Sequence, residues 1–426
     1  MAESTIFALS SGRPPAAVAI IRVSGPGAHD AGRALAGTLP EPRTAAVREL
    51  RHPGNGELLD EALVLRFDAP ASATGEDVVE LQCHGGRAVV DAVLDALASL
   101  PGLRAAQPGE FTRRAFASGR IDLTEAEGLA DLLEAETETQ RKAALALAEG
   151  GLRKQVAEWQ ERLLGLSAAA ERAIDYDDED EAPDPALARG CGALAQELEA
   201  WLAKPPAERL KDGIRVVVAG PPNAGKSSLL NAIAGEERAI VTPIAGTTRD
   251  HIEVPLSLAG VPLILTDTAG LREADDQVEA IGVARAEALI DAADILLWLG
   301  APEDAPAHPR CLLVHSKADL PERADAPTGS FQLSSMTGSG IDRLLEQVVH
   351  LARSLLPTEG AVALNRRQSE QLRIAAVSLA SAASAAEAII IAEELRSARA
   401  AFDRVTGRAG VEDVLDALFS RFCLGK

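Results

Sequence analysis

Hydrophobic residues recur along this chain in changing patterns, and the changes divide it. Up to residue 119 the apolar runs are short and bounded by turns. Ala17–Val23 and Ala62–Phe67 read as strands and Ala88–Leu100 as a helix, an α+β pattern. From about Leu123 to Ala173 the spacing is helical, with Leu129, Leu132, Leu133, Leu145, Leu152, Val156, Trp159 and Leu163 near one face and Gly150-Gly151 as a break. The acidic run Asp175–Glu181 interrupts it; without ligand spacing or turn glycines it reads as a solvated loop rather than a cation site. Apolar runs at Ile214–Ala219, Leu263–Thr266, Cys311–Val314 and Phe331–Leu333 read as buried strands, in a segment bracketed by Pro205-Pro206 and Pro357. From about Leu364 the pattern is helical again.

The expected fold is therefore multidomain, α+β and α/β. An α+β domain spans 1–119, a helical domain is made in two parts from 120–211 and 354–426, and a nucleotide-type α/β domain over 212–353 is inserted between them. The longest apolar stretch, Ile374–Ala392, carries Ser378, Ser381, Ser384 and a central Glu387. A charge at a bilayer centre costs about 2–3 kcal/mol or more, so this stretch reads as an Ala-rich packed helix, with no membrane partner.

Composition narrows the partners. Lys plus Arg number 42 against 64 Asp plus Glu, a net charge of −22, which argues against broad electrostatic capture of nucleic acid. Arg113, Arg114, Arg366, Arg367, Arg404 and Arg408 are candidates for a local basic patch, although each reads first as a solvated helix charge. Aromatics at 3% cannot supply many base-stacking platforms. Cys83, Cys191, Cys311 and Cys423 stand far apart with no C-x-x-C pair, and no leader pattern opens the chain, so a reduced, cytoplasmic protein is expected.

The candidate chemistry begins at Gly220-Pro221-Pro222-Asn223-Ala224-Gly225-Lys226-Ser227, a G-x-x-x-x-G-K-S phosphate loop between the apolar run ending at Ala219 and a helical pattern opening at Ser228. Its backbone N–H groups suit the β-phosphate, Lys226 the terminal phosphates, and the Ser227 hydroxyl a Mg²⁺ ion. The loop Gly246-Thr247-Thr248-Arg249-Asp250 offers a Thr to complete Mg²⁺ coordination, and Asp267-Thr268-Ala269-Gly270 follows a strand, as a metal-water and γ-phosphate element does. Ser316-Lys317-Ala318-Asp319 places a carboxylate where guanine presents N1–H and N2–H, and Ser334-Ser335-Met336 offers backbone N–H groups to O6, so the series is Ras-like and selects GTP and GDP.

Two departures stand out. Ser316 occupies the place where the usual series has Asn, which predicts weakened nucleotide affinity with guanine preference kept by Asp319. Leu271 stands where Ras-like enzymes carry the water-orienting Gln, so another polar group must act.

These motifs, the loop Thr242-Pro243-Ile244-Ala245-Gly246-Thr247-Thr248-Arg249-Asp250, the segment Asp267–Glu273 and the ending Phe422-Cys423-Leu424-Gly425-Lys426 together resemble the MnmE (TrmE) family of tRNA-modification GTPases. Arg22-Val23-Ser24-Gly25-Pro26, Thr74-Gly75-Glu76-Asp77-Val78, His84-Gly85-Gly86, Pro108–Thr112 and Ile121-Asp122-Leu123 extend the resemblance over the whole chain.

The resemblance implies a homodimer whose G domains associate around K⁺, with Asn223, Thr242, Ile244 and Thr247 as its ligands and Glu279 orienting the attacking water. It implies an N-terminal dimerisation domain that binds 5,10-methylene- or 5-formyl-tetrahydrofolate, the contacts falling on Arg22, Glu80, Arg120 and Lys426; the family often has Lys where Arg120 stands. It places Cys423 in a tail near the folate with a suspected chemical role. It further implies a FAD-binding MnmG-type partner and tRNA, the wobble uridine being modified at C5. Two other readings stay open: a ribosome-assembly or regulatory GTPase that modifies nothing, and a folate enzyme that holds GTP structurally.

Overall fold

The structure is a computed structural model, and it describes residues 4–175, 185–235, 239–241, 253–267, 286–323, 325–409, 412–422 and 425. The chain divides into two compact units, Met1–Ala130 with Asp403–Lys426, and Asp131–Phe402.

In the first unit, strands β1 (Thr5–Leu9), β2 (Val18–Ser24), β3 (Ala46–Arg51), β4 (Leu58–Phe67), β5 (Val78–His84) and β6 (Leu103–Ala105) form a sheet in the order β3-β4-β5-β2-β1-β6. All neighbours are antiparallel except β1 and β6. Strand alternation decides the faces. Ala19, Ile21 and Val23 of β2 and Val79, Leu81 and Cys83 of β5 turn to one side, where helices α1 (Ala28–Ala36) and α2 (Arg87–Ala98) close the core with Ala28, Leu35, Val93 and Leu97. The residues between them, Arg22 and Glu80 included, face the other way. Helices α3 (Glu110–Ala117) and α4 (Leu123–Glu134) follow. Leu123, Ala126 and Ala130 form a small core with Leu418, Phe419 and Phe422 at the chain's last helix.

The second unit joins a helical part to an α/β part. Helix α5 (Glu138–Ala148) opens on a capping box, Thr137 accepting from the Gln140 N–H while the Gln140 side chain accepts from the Thr137 N–H. Gly150, at φ 80°, then turns the chain into α6 (Gly151–Asp175), the break read from the paired glycines. Leu152, Val156, Trp159 and Leu163 of α6 are buried at the expected helical spacing, whereas Leu133, expected on the same stripe, is 43% exposed. Leu187, Cys191, Leu194 and Leu198 form the buried stripe of α7 (Pro185–Leu202). The short α8 (Glu208–Lys211) leads to the α/β part.

There β7 (Ile214–Ala219), β8 (Ala239–Val241), β9 (Glu253–Leu258), β10 (Val261–Asp267), β11 (Ile295–Trp298), β12 (Cys311–His315) and β13 (Phe331–Gln332) make a sheet in the order β13-β12-β11-β7-β10-β9-β8. It is parallel from β10 through β7, β11 and β12 to β13, and antiparallel at β8-β9-β10. Ile214, Val216 and Val218 of β7 meet α9 (Lys226–Ala234) and α10 (Ile341–Leu355) on one face, while Val217 and Ala219 turn to the other. β7 lies between β10 and β11, so the strand order reverses at its carboxyl end, the place where open parallel sheets bind ligands.

The stretch Ile374–Ala392, expected as one packed helix, is two: α11 (Arg366–Ser384) and α12 (Ala388–Thr406). Ser384 Oγ donates back to the Ala380 and Ser381 carbonyls and Ala385 turns extended at φ −74°, ψ 140°, which ends the helix. Among the described residues no helix is long and apolar enough to cross a membrane. The last helix is α13 (Glu412–Phe419).

Candidate nucleotide site

The phosphate loop leaves β7 at Gly220 and returns at Gly225, the N-cap of α9. Gly220 is at φ 150°, and a Cβ there would lie 3.1–3.2 Å from Leu299, so backbone must pass where no side chain fits. Asn223 at φ 61° and Gly225 at φ 95° complete the reversal that aims the first N–H groups of α9 into the loop. Lys226 is buried, and its Nζ donates to the Gly220 and Pro221 carbonyls at 3.0 and 2.9 Å. Ser228 is exposed on the same turn.

Asp267 ends β10 in register with Val218 of β7, and this neighbouring-strand placement lets Ser227 Oγ donate to Asp267 Oδ2 at 2.5 Å. A hydroxyl and a carboxylate side by side at the mouth of the phosphate loop are the hard oxygen donors that Mg²⁺ takes. The two residues fit that ion.

The segments expected to read the base follow the next strands. Ser316 follows β12 and is 2% exposed; its Oγ donates to the Ala224 carbonyl at 2.6 Å. Lys317, at φ 61°, donates from Nζ to the Asn223 carbonyl at 2.7 Å. The Ala318 N–H donates to the Leu333 carbonyl at 3.1 Å, which ties this loop to the end of β13. Asp319 is exposed, and its Oδ1 accepts from Ser334 Oγ at 2.5 Å. The same Ser334 oxygen accepts the Met336 N–H at 3.2 Å, Ser335 is half-buried, and Met336 is 85% exposed. Asn223 through Ser228, Asp267, Ser316 through Asp319 and Ser334 through Met336 thus line the carboxyl ends of the parallel strands. Thr242, Pro243, Ile244, Ala245, Gly246, Thr247, Thr248, Thr268, Ala269, Gly270, Leu271 and Glu279 lie outside the described residues.

In the first unit Arg22 and Glu80 are cross-strand partners on β2 and β5, and the Arg22 Nε and Nη2 donate to Glu80 Oε1 at 3.0 and 2.8 Å. The Arg22 guanidinium also lies 5.7 Å from the centre of the Phe111 ring. Arg120 is exposed beside Gly75, whose added Cβ would lie 3.1 Å from the Arg120 Cγ. Gly425 lies against β1, a Cβ there falling 2.0 Å from the Leu9 carbonyl oxygen, while Ser10 Oγ donates to the Gly425 carbonyl at 2.8 Å. Cys423 and Lys426 lie outside the described residues.

The sequence reading missed a buried network beside this sheet. Arg114 was expected as a solvated charge; its side chain is 10% exposed and donates to both Glu76 oxygens at 3.1 Å, to Glu110 Oε1 at 3.1 Å and to the Ser4 carbonyl at 2.8 Å. Ser24 Oγ donates to Glu76 Oε2 at 2.7 Å and lies 2.7 Å from Thr74 Oγ1. The signal was the blocks around Ser24, Thr74 and Glu110, which supply these groups. Burial alone would raise the Glu110 carboxyl, but hydrogen bonds from Arg104, the Gln107 N–H and Arg114 hold it down at about 2. Burial pushes the Cys83 thiol up to about 12, so it is no nucleophile. His29, Asp68 and Asp77 lie close enough to suit a metal, yet Asp68 faces Nε2 at 3.4 Å and Asp77 faces Nδ1 at 3.5 Å. Opposite ring edges cannot serve one ion, and Arg66 already takes both Asp68 oxygens.

Comparison with known proteins agrees with both units. The family model for the GTP-binding protein TrmE N-terminus matches residues 5–120, and that for the MnmE helical domain matches 123–423, a span that encloses the P-loop G domain. The tRNA modification GTPase MnmE of Erythrobacter litoralis is 54% identical over 425 residues, covering 99% of this chain and 100% of its own. That of Rhizorhabdus wittichii is 54% identical over 430 residues, covering 100% and 97%. That of Zymomonas mobilis is 50% identical over 432 residues, covering 99% and 100%. The chain belongs to the MnmE family of tRNA modification GTPases.

Proposed function

We propose that this chain hydrolyses GTP to drive modification of certain tRNAs. With a FAD-containing partner of the MnmG type it adds an aminomethyl or carboxymethylaminomethyl group at C5 of the wobble uridine, the one-carbon unit coming from 5,10-methylene- or 5-formyl-tetrahydrofolate. The supporting observation is the Ser227–Asp267 pair at 2.5 Å beside the phosphate loop, with Asp319 steadied by Ser334 in the same crevice. The reading assigns both ends of the guanine nucleotide to that crevice. The strongly acidic surface, at −22, fits a division of labour in which the partner takes most of the tRNA contact.

In this reading the N–H groups from Asn223 to Ser228 hold the phosphates, Lys226 adds its charge, and Asp319 accepts the two guanine donors. Mg²⁺ held by Ser227 and Thr248 would neutralise charge on the β- and γ-phosphates. Asn223, with Thr242, Ile244 and Thr247, would hold K⁺ when two G domains meet in the homodimer, a positive charge in the role of an arginine finger. Glu279 orients the water, because Leu271 has no polar group to do so. Arg22, Glu80, Arg120 and Lys426 form the folate contacts, Arg22 and Glu80 exchanging each other for the pterin and carboxylates of the ligand, with Cys423 in the tail beside them. The proposed division is 1–119 for folate and dimerisation, 120–211 and 354–426 for the helical domain, and 212–353 for the G domain, in a cytoplasmic protein.

GTP turnover by the full chain in K⁺ and in Na⁺, with wild type and Glu279→Ala, tests the mechanism. K⁺ is expected to raise the wild-type rate by about tenfold or more, a barrier change of about 1.4 kcal/mol, and Glu279→Ala to abolish the gain. Equal rates in the two salts would remove K⁺ from the mechanism.

A further inference from the structure

The geometry points to Ser316 as a positioning residue for the phosphate cradle, one that orients the Gly225 N–H and does not read the base. The inference rests on the nucleotide site proposed above and assigns one residue within it. Ser316 is 2% exposed, and its hydroxyl is spent inside the protein on the Ala224 carbonyl at 2.6 Å. A hydroxyl has a single proton to donate. With that proton on Ala224, the side chain has no donor left for a purine ring.

The bond has a directional consequence. In a trans peptide the C=O and the N–H point to opposite sides. Drawing the Ala224 carbonyl toward Ser316 therefore turns the N–H of Gly225 away from it, into the concave side of the loop. Gly225 is the N-cap of α9 and sits at φ 95°, so its N–H belongs to the unpaired set at the helix start that meets an anion. Gly225 lies directly beside both residues: a Cβ there would be in ordinary contact, 3.7 Å from Ser316 Oγ and 3.8 Å from Lys317 Cε. Lys317 acts in parallel, its Nζ holding the Asn223 carbonyl at 2.7 Å. The segment after β12 thus grips two successive phosphate-loop carbonyls, and base discrimination falls to Asp319, aligned by Ser334 at 2.5 Å.

Affinities of the full chain for GDP, 7-deaza-GDP and IDP, measured by calorimetry, separate this role from base reading. Ser316→Ala is expected to weaken all three by the same factor, on the order of tenfold, because one carbonyl loses its buried donor whichever base is bound. Ser316→Thr, which restores the hydroxyl, is expected to return all three close to wild type. A loss on GDP and IDP that spares 7-deaza-GDP would assign Ser316 to the purine N7 and overturn the inference. Unchanged affinities for all three would overturn it too. Should Ser316→Ala fail to fold, Ser316→Cys keeps a side chain of similar size with a weaker donor, and the same equal losses are required of it. A wild-type chain that binds none of the three ligands would instead overturn the nucleotide reading itself.

Discussion

Glu110 shows how much a single carboxylate organises here. It accepts from Arg104 at 2.8 and 2.5 Å, from the Gln107 N–H at 2.9 Å and from Arg114 at 3.1 Å, so it joins β6, the entry to α3 and the Glu76 network. Its folded pKa of about 2 lies below the ordinary 4.5, so between those values the unfolded chain binds the extra proton. The stability it contributes is complete above about 4.5 and is lost as pH falls toward about 2. The unfolding midpoint followed by circular dichroism should therefore drop across that window. Glu110→Gln should flatten the drop and cost about 1–3 kcal/mol at neutral pH, since two arginines lose a charged partner. An unchanged acid profile in the variant would contradict this assignment. The blocks that supply these groups stood out in the sequence, but their pairing did not: the Arg114–Glu76 pair spans 38 residues, and a lone Arg on a helix looks solvated. The phosphate loop was legible because its chemistry is written in consecutive residues at fixed spacing.

At the scale of elements, local periodicity and long-range packing divided the information. Ile214–Ala219 was readable as a strand to the residue, because an apolar run broken only by Arg215 ahead of a phosphate loop has few alternatives. The neighbours of β7 were not readable, since parallel pairing with β10 and β11 is fixed by helices packing across the sheet. The split between α11 and α12 was hidden because apolar spacing continues through it while Ser384 ends the hydrogen-bond ladder. Trp159 shows what the helical pattern did reveal. Fully buried on α6, it meets Trp201 edge-on at 5.4 Å, stacks on Phe402 at 5.9 Å and donates from Nε1 to Glu197 at 2.8 Å. Trp159→Ala should cost about 3–5 kcal/mol of stability, read by denaturant unfolding. A cost below about 1 kcal/mol would mean that the helical core does not depend on this ring. Gly109 also gains a reason: a Cβ there would fall 2.3 Å from the Phe419 carbonyl oxygen, so only glycine lets α13 close on the start of α3.

For the whole molecule, family membership and the site point the same way. A net charge of −22 argues against capture of tRNA by bulk electrostatics, which is why the proposed function gives most of the tRNA contact to a partner and the timing to the nucleotide. Asp319, the phosphate loop and the Ser227–Asp267 pair sit at the carboxyl ends of the parallel strands of one mixed sheet, and the proposed function makes that domain the clock of the cycle. The most direct test of the central claim is nucleoside analysis of wobble uridine in tRNA from a strain lacking this chain. Loss of the C5 modification, restored by the wild-type chain and not by Asp319→Ala, is the predicted result. Wobble uridine modified to the same extent with and without the chain would contradict the account.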